Sequence, residues 1–199
     1  MAYLYRLRYI ERWSLMRNTT RENVAEHSYH VALLAHMLCE IGNRIFGRSL
    51  NSDRVVTLAL FHDATEVFTG DIPTPVKHHN PKMLANFRDI EAMAAERLLA
   101  MVPPQLLPAY TPLISSSSKQ QPDGEDLLLL RMLKAADLLD AYIKCLSELS
   151  SGNREFAVAK GQTEAALARL ELPEIDWFLT HMAPSFSKTL DELSEQDDD

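Results

Sequence analysis

An apolar run that ends abruptly in ionisable residues is the feature that most constrains this chain. Residues 55–61 (VVTLALF) are nearly all apolar, and His62 and Asp63 follow directly, with Glu66 one helical turn later. At helical spacing the doublet continues the faces of this run, so we expect an imidazole and a carboxylate on a largely buried helix. An unpaired carboxylate there would cost several kcal/mol, roughly, so buried charges are usually paired or bound to a metal. Glu66 is expected to project into the same region.

Helical periodicity accounts for most of the remaining sequence, and strand-like alternation is absent over any useful length. Asn23, Asn51 and Asn80 each precede an amphipathic or apolar stretch and are expected to act as helix N-caps. Residues 125–150 carry apolar side chains around most of the helical circumference, which predicts a second deeply buried helix. The pattern therefore indicates an all-α fold.

Length and composition favour one domain that spans residues 1–199. With 46% hydrophobic and 24% charged residues, the chain is typical of globular proteins and long enough for one substantial core. Residues 115–124 are polar and rich in serine, which predicts a flexible loop rather than a domain boundary, because the helical pattern resumes after it. The acidic end, residues 195–199, is expected to fray.

The charge balance and the cysteines restrict the partners and the compartment. A net charge of −8 argues against binding to a nucleic-acid polymer, which needs a basic surface. No apolar run approaches the roughly eighteen residues of a membrane span, and the N-terminus lacks the layout of a secretion signal. Cys39 and Cys145 lie in apolar helical contexts and form no Cys-x-x-Cys pair, which indicates buried thiols in a reducing cytoplasm.

Other ionisable residues lie on helical faces, and periodicity alone leaves their roles open. His27 interrupts the apolar stripe of the helix that follows Asn23, and a lone histidine there is more often a hydrogen-bonded core residue than a ligand. Asp137 follows apolar residues on its own face, whereas Asp140 and Lys144 turn that face polar toward the C-terminus. The pattern leaves Asp137 undecided between a solvated flank and a buried carboxylate.

Two loops carry further candidates. Arg12 and Trp13 lie in a stretch without clear periodicity, which fits either a packed loop or a wall for an anionic ligand with a ring. Taken alone, the packed loop is favoured. A glycine and two prolines within residues 69–75 predict a non-helical turn. This turn fits either a rigid connector or a segment that holds Asp71 beside the His-Asp doublet.

The candidate histidines and aspartates occur along the chain in an order that resembles that of a known protein family. His27, then the His62-Asp63 doublet, then Asp137 follow the order H…HD…D, which resembles that of the HD-domain metal-dependent phosphohydrolases. The local sequences are more specific and resemble those of the bacterial 5'-deoxynucleotidase subfamily over nearly the whole chain. They are residues 12–18 (RWSLMRN), 22–28 (ENVAEHS), 62–67 (HDATEV), 69–77 (TGDIPTPVK) and 136–137 (AD).

The resemblance implies an HD-type helical bundle that forms a homodimer and hydrolyses deoxyribonucleoside 5'-monophosphates to the deoxynucleoside and phosphate. Carried over residue by residue, it assigns the metal ligands to His27, His62, Asp63 and Asp137. Glu66 would be the acid/base residue that activates or orients water. Arg12 and Trp13 would line the phosphate and sugar site, and Asp71 would bind the 3'-hydroxyl.

The implied ligand set also has a physical rationale. Two imidazoles and two carboxylates form a mixed nitrogen and oxygen set that suits Mn²⁺, Co²⁺ or Fe²⁺ and is less specific for Zn²⁺. Only one cluster of ligands is visible, so we expect one divalent metal ion per subunit. Neighbours on a helix point about 100° apart, so His62 and Asp63 can converge on one ion only because the helix ends there.

Other functions fit the sequence less well. An HD phosphohydrolase acting on another nucleotide, such as a nucleoside triphosphate or a cyclic nucleotide, would share the ligands, but Arg12, Trp13 and Asp71 favour a small monophosphate. A non-catalytic nucleotide-binding HD module need not keep Glu66, and no output domain is attached. A helical scaffold with core histidines would explain each histidine alone, but not their occurrence together with the flanking motifs.

Overall fold

A computed structural model describes residues 2–77, 79–115 and 124–194, and the regular structure in these ranges is helical apart from an isolated bridge between Glu11 and Asn23. The α-helices are α1 (Val24–Ile45), α2 (Ser52–Phe61), α3 (Glu66–Thr69), α4 (Thr74–Lys77), α5 (Pro81–Leu99), α6 (Leu107–Ile114), α7 (Gly124–Ser150), α8 (Ala157–Ala168), α9 (Pro173–His181) and α10 (Leu190–Ser194). Short 3₁₀ segments lie at Leu4–Tyr9, Pro104–Leu106, Arg154–Phe156 and Ala183–Ser187. The predicted all-α fold is confirmed.

The core is built around α1, which packs most extensively against α2 and α7. Fully buried side chains from α1, α7 and α9 meet there, including Leu38, Met132, Leu139 and Phe178. Burying a side chain of this size stabilises the fold by about 1.5–3 kcal/mol relative to leaving it exposed. Because α2 also contacts α7, the three helices that carry or precede the predicted metal ligands pack against one another.

Asparagine caps fix where three of these helices begin, as predicted. The Asn23 side chain accepts hydrogen bonds from two backbone N–H groups at 3.1 Å each, and the Asn23 N–H donates to Glu26 Oε2 at 3.3 Å. Asn51 and Asn80 cap α2 and α5, each accepting from a backbone N–H at 2.9 Å. Since His27 lies in the first turn of α1, the cap of that helix also helps to position the imidazole.

The helix that leads to the His62-Asp63 doublet ends immediately before it. α2 stops at Phe61, and turns cover the residues up to Glu66, where α3 begins. His62 is the C-cap of α2 and keeps helical backbone angles, with φ −60° and ψ −34°. The doublet therefore lies at a helix end, as two neighbouring side chains require if they are to converge.

The segment after α3 is only partly as predicted. Gly70 ends α3 with a φ of 70°, a left-handed conformation that favours glycine. Helix α4 then begins at Thr74, inside the stretch 69–75 that was predicted to be non-helical. Proline is tolerated in the first turn of a helix because its missing N–H would have no partner there, so Pro75 lies within α4.

A closed loop precedes α1. Residues 11–23, called the N-terminal loop below, are joined at their base by the bridge between Glu11 and Asn23. The Arg12 N–H also donates to the Glu22 carbonyl oxygen at 2.9 Å. Because this loop carries Arg12 and Trp13, its shape decides where those two side chains lie.

Some predictions concern parts of the chain that lie outside the described residues. Of the predicted flexible loop at 115–124 only the two end residues are described, and the predicted frayed tail at 195–199 is not. Both stay predictions, as does the single domain over residues 1–199. No described helix combines the length and the apolar character needed to cross a membrane.

Replacing Asn23 by alanine should lower the free energy of unfolding by about 1 kcal/mol, because two N–H groups at the start of α1 lose their acceptor. The matched control is Asn86→Ala, at an exposed position inside α5, which should not destabilise the protein since alanine is the better helix former. Urea denaturation followed by circular dichroism measures both. Equal stability of Asn23→Ala and the wild type would mean that the cap contributes nothing.

Candidate metal centre

His27 lies in the first turn of α1, fully buried, with carboxylates at both edges of its ring. Its Nδ1 is 2.6 Å from Asp140 Oδ2. Its Nε2 is 3.4 Å from Asp63 Oδ2 and 3.4 Å from Asp137 Oδ1. The histidine that the sequence pattern alone favoured as a core residue is thus surrounded by three carboxylates from two other parts of the chain.

His62 and Asp63 reach the same place from the end of α2. His62 Nε2 is 3.1 Å from Asp63 Oδ2, and the ring centroids of His27 and His62 are 5.2 Å apart. One ligand atom from each of these three residues lies within 4.8 Å of the other two. Asp137, the fourth predicted ligand, joins them through His27 Nε2 and also accepts a hydrogen bond from Lys134 at 2.7 Å.

Both imidazoles present an unused nitrogen to this cluster. Among the described residues, the buried Nε2 atoms of His27 and His62 have no hydrogen-bond partner. Their Nδ1 atoms donate to Asp140 Oδ2 at 2.6 Å and to the Ala59 carbonyl oxygen at 2.7 Å. Those bonds place an N–H on each Nδ1, so Nε2 is the atom that can ligate a metal once it has lost its proton. Two such nitrogens beside two carboxylates fit a divalent cation.

Asp140 is a residue that the sequence reasoning missed. The pattern placed it where its helix face turns polar, yet its side chain is only 6% exposed. Besides His27, it lies 3.5 Å from His30 Nδ1. Its spacing of three from Asp137 is the signal that could have found it, because residues three apart on a helix lie on one face and can reach the same imidazole.

A second group of possible ligands, Glu22, His27 and Asp140, lies at the Nδ1 edge of the His27 ring, but its members are already paired. Glu22 Oε1 accepts from Arg12 Nε at 2.6 Å, and Asp140 accepts from His27. With both carboxylates engaged, this group orients His27 and Arg12 and offers no open metal position.

The close packing of charges shifts the pKa values of the cluster. Burial alone would raise the pKa of Asp63, but the imidazoles of His62 and His27 outweigh burial and lower that pKa well below its usual range. Burial would lower the pKa of His27, but the surrounding carboxylates outweigh it and raise that pKa. Asp63 therefore stays ionised, which is the form that binds a cation.

Glu66 opens α3 next to the doublet and is only 5% exposed. Burial, together with the charges of Asp63 and Asp71, raises the pKa of Glu66 to about 9. Its Oε2 has no hydrogen-bond partner in the part of the chain that is described. A buried carboxyl group with a raised pKa and a free oxygen is suited to proton exchange with a ligand or with water.

Arg12 and Asp71 extend the site from the two neighbouring loops. Arg12 Nη1 is 4.0 Å from Asp63 Oδ2, and its side chain is largely buried. Burial would lower the pKa of Arg12, but the nearby carboxylates, Glu22 foremost and Asp71 among them, outweigh it and raise that pKa. The charge of Asp71 acts on both Arg12 and Glu66.

Trp13 combines an unusual backbone with tight packing. Its φ is 55°, and its ring packs against Phe156 with the centroids 5.4 Å apart. Its buried indole N–H has no hydrogen-bond partner among the described residues. The packing supports the packed-loop interpretation, while the unused donor also suits a residue that lines a ligand site.

Comparison with known proteins finds a family model and relatives that match nearly the whole chain, all described as 5'-deoxynucleotidases. The family model described as 5'-deoxynucleotidase YfbR-like matches residues 1–186. Proteins named 5'-deoxynucleotidase from Vibrio vulnificus (strain YJ016) and Photorhabdus temperata are each 45% identical over 193 residues, which is 97% of this chain and 96% and 95% of those proteins. A 5'-deoxynucleotidase of Yersinia pestis (strain Pestoides F) is 46% identical over 193 residues, covering 97% of this chain and 95% of the relative.

Solved structures have the same fold. An HD-domain phosphohydrolase from Listeria innocua superposes with a TM-score of 0.77 at 25% identity, over 93% of this chain and 86% of that chain. An HD phosphohydrolase of cyanophage S-2L, solved with dA and one catalytic Zn²⁺ ion, superposes with a TM-score of 0.63 at 19% identity, over 95% and 97% of the two chains. The predicted HD-type helical bundle is confirmed.

Replacing Asp140 by asparagine should weaken the binding of a divalent cation about 10- to 100-fold, because an amide is a poorer acceptor for the His27 N–H than a carboxylate. Calorimetric titration of metal-free protein with Mn²⁺ or Co²⁺ measures the affinity. The matched control is Asp89→Asn, which alters an exposed carboxylate on α5 and should leave the affinity as it was. An unchanged affinity in Asp140→Asn would remove Asp140 from the metal centre.

Proposed function

This chain belongs to the YfbR-like 5'-deoxynucleotidase family, and from that premise we propose that it hydrolyses deoxyribonucleoside 5'-monophosphates to the deoxynucleoside and phosphate. The protein is thus a phosphomonoester hydrolase. The observation that carries the proposal is the pair of unused Nε2 atoms on His27 and His62, which lie beside the carboxylates of Asp63 and Asp137. Phosphomonoesters hydrolyse very slowly unaided, so the reaction needs such a centre for charge stabilisation and alignment.

Four residues are proposed to hold one divalent cation per subunit: His27, His62, Asp63 and Asp137. When bound there, the cation supplies Lewis-acid chemistry, since it polarises a phosphoryl oxygen and acidifies water. The two carboxylates balance its charge, which makes a buried site tolerable. The mixed ligand set suits Mn²⁺, Co²⁺ or Fe²⁺, and Zn²⁺ belongs in the metal screen because the cyanophage protein was solved with it.

Glu66 is proposed to hold and move the proton of the attacking water. Its Oε2 is buried and unpaired among the described residues. A cation bound beside it would favour the ionised form of Glu66, which would then accept that proton as the water oxygen bonds to phosphorus. The same carboxyl group can return the proton to the leaving 5'-oxygen when the phosphorus–oxygen bond breaks. Burial keeps bulk water away from this exchange.

The two loops are proposed to recognise phosphate and sugar. The Arg12 guanidinium is oriented by Glu22 at 2.6 Å and can donate from its remaining N–H groups to the phosphate, while Asp71 accepts from the 3'-hydroxyl. An apolar pocket rejects an added hydroxyl only about a hundredfold, so strict exclusion of a 2'-hydroxyl needs a rigid obstacle. Trp13, packed on Phe156, is the proposed obstacle.

We also propose a cytoplasmic homodimer. Large apolar side chains are exposed on α1 and on the segment before it, namely Tyr29 and Leu33, and Tyr5 and Tyr9. A second copy of the chain that covers these residues would remove them from water. The free, buried thiols of Cys39 and Cys145 fit a reducing compartment. Light scattering after size exclusion measures the mass; a monomer at micromolar concentration would contradict the dimer.

The function is tested by phosphate release from deoxyribo- and ribonucleoside 5'-monophosphates with Mn²⁺, Co²⁺, Fe²⁺ or Zn²⁺. Phosphate release that depends on metal and prefers the deoxyribonucleotide is expected. Equal rates on the two sugars would remove the 2'-deoxy preference and favour an HD phosphohydrolase of another specificity. Full activity after rigorous chelation would contradict the metal-dependent mechanism.

Glu66→Gln should lower kcat about 10²- to 10⁴-fold, because the amide cannot take the proton of the attacking water. Metal affinity, measured by calorimetry, should not change, since Glu66 is not among the proposed ligands. Glu96→Gln, which alters an exposed carboxylate on α5, is the control and should retain its kcat. Unchanged turnover in Glu66→Gln would exclude Glu66 from the mechanism.

Trp13→Ala should reduce the ratio of kcat/KM values for deoxyribo- over ribonucleotides to about a hundredfold or less, because only the modest rejection by an apolar pocket would remain. The control is Trp177→Phe on α9, which should leave the ratio unchanged. Steady-state kinetics on matched pairs, such as dAMP and AMP, give the ratio. If Trp13→Ala discriminates as well as the wild type does, another residue excludes the 2'-hydroxyl.

A further inference from the structure

A buried carboxylate near the end of α7 fixes the far side of the N-terminal loop. Glu148 is 1% exposed and accepts hydrogen bonds from the Thr19 N–H at 2.9 Å, from Thr19 Oγ1 at 2.7 Å and from the Thr20 N–H at 3.3 Å. The bridge between Glu11 and Asn23 closes the loop at its base. The loop is therefore held at two opposite points, and Glu148 is the second of them.

Lys144 and Asn153 complete this attachment. Lys144, which lies one turn before Glu148 on α7 and is also buried, donates both to Glu148 and to the Thr20 carbonyl oxygen. Asn153 Nδ2 donates to Glu148 Oε2 at 2.8 Å and to the Arg17 carbonyl oxygen at 2.7 Å. Because the Glu148 carboxylate accepts from all of these donors, the N-terminal loop can detach from α7 only if several charge-assisted hydrogen bonds break at once.

The same loop holds Trp13 in a conformation that needs support. A residue with a side chain rarely adopts a φ of 55°. Asn18 Nδ2 donates to the Trp13 carbonyl oxygen at 3.1 Å, next to the residues that Glu148 binds. Phe156, on which the Trp13 ring packs, also lies 5.4 Å from Lys144 Nζ, measured from its ring centroid. The backbone of Trp13 and the contacts of Lys144 and Glu148 thus form one packed unit.

Glu148 lies away from the proposed metal ligands. It is separated from Asp137 by about 16 Å along α7, at roughly 1.5 Å per residue. Its hydrogen-bond donors belong to the N-terminal loop, to α7 and to the turn that follows α7. A change at Glu148 can therefore reach the site through the loop or through the stability of the whole fold, and these two routes can be distinguished by experiment.

We infer that Glu148 is a positioning residue for substrate recognition: it holds the N-terminal loop so that Arg12 and Trp13 are already in place when phosphate and sugar arrive. This inference rests on the proposed function, because it concerns the roles proposed above for Arg12 and Trp13. A loop that is ordered in advance loses little freedom when substrate binds. A loosened loop must be ordered by the substrate, so KM rises and the rejection of the 2'-hydroxyl weakens.

Glu148→Gln tests the inference directly. The amide has nearly the same shape, but it presents N–H groups to loop donors and leaves Lys144 without its counter-charge. We expect kcat/KM for a deoxyribonucleoside monophosphate to fall about tenfold to a hundredfold, mainly through KM. The ratio of deoxyribo- to ribonucleotide kcat/KM should fall as well. Mn²⁺ affinity, measured by calorimetry, should stay unchanged.

Glu174→Gln is the matched control for the loss of a buried charge. Glu174 is fully buried and paired with Arg48, and it lies at the start of α9, outside the N-terminal loop. This variant should lose thermal stability but keep the wild-type KM and sugar preference. Thr19→Val is a milder test that removes one hydroxyl donor and leaves the pair of Glu148 and Lys144 intact, so it remains informative if Glu148→Gln does not fold. It should raise KM in the same direction.

Two measurements require no turnover. Hydrogen exchange of the amides in residues 12–20 should be faster in Glu148→Gln than in the wild type, and unchanged in Glu174→Gln. The chain has two tryptophans, so in a Trp177→Phe background the fluorescence reports Trp13 alone. Its emission should shift to longer wavelength in Glu148→Gln, because a loosened loop exposes the indole to water.

A folded Glu148→Gln or Thr19→Val variant with wild-type KM and sugar preference would overturn the inference. The same loss of selectivity in Glu174→Gln would also overturn it, since the effect would then come from lost stability. Failure of the proposed function looks different, because the wild type itself would release no phosphate from deoxyribonucleotides. In that case unchanged exchange in residues 12–20 of Glu148→Gln would overturn the loop attachment, and faster exchange would support it.

Discussion

His27 sits at the start of α1 with Asp140 on one ring nitrogen and with Asp63 and Asp137 near the other. These carboxylates come from the end of α2 and from the middle of α7, and their charges favour an imidazole that is buried among them. The packing of α1 against both helices is what brings them together. The proposed metal centre is therefore a property of tertiary packing, and no single motif contains it.

The protein carries a net charge of −8, yet its proposed substrate is an anion. Local arrangement resolves this conflict. Arg12 is buried beside Glu22, and its guanidinium lies 4.0 Å from Asp63, so one fixed positive charge borders the carboxylate cluster. A bound divalent cation would add two further positive charges next to this one. Arg12 and such a cation would supply the positive groups that contact the phosphate, while the net acidic charge of the chain disfavours binding of polyanions such as nucleic acids.

The helical period and the asparagine caps were sufficient to predict the all-α fold, and the H…HD…D order with its flanking motifs pointed to the family. The pattern could not show that Asp140 and Glu148 are buried. Their partners, His27 and Thr19, lie more than a hundred residues away, so an isolated helix carrying these carboxylates looks amphipathic. The positive φ of Trp13 was equally hidden, because it depends on contacts that only the folded loop makes.

The ligands of the proposed cation belong to three segments that are distant in the sequence, so one ion would tie α1, the end of α2 and α7 together much as a disulfide ties a secreted domain. A ligand that binds only the folded form adds about 2.7 kcal/mol of stability when present at a hundred times its dissociation constant. The supply of metal would then govern the lifetime of the protein against heat and proteases. In a cell that lacks the ion, the amount of folded protein would fall as well as its activity.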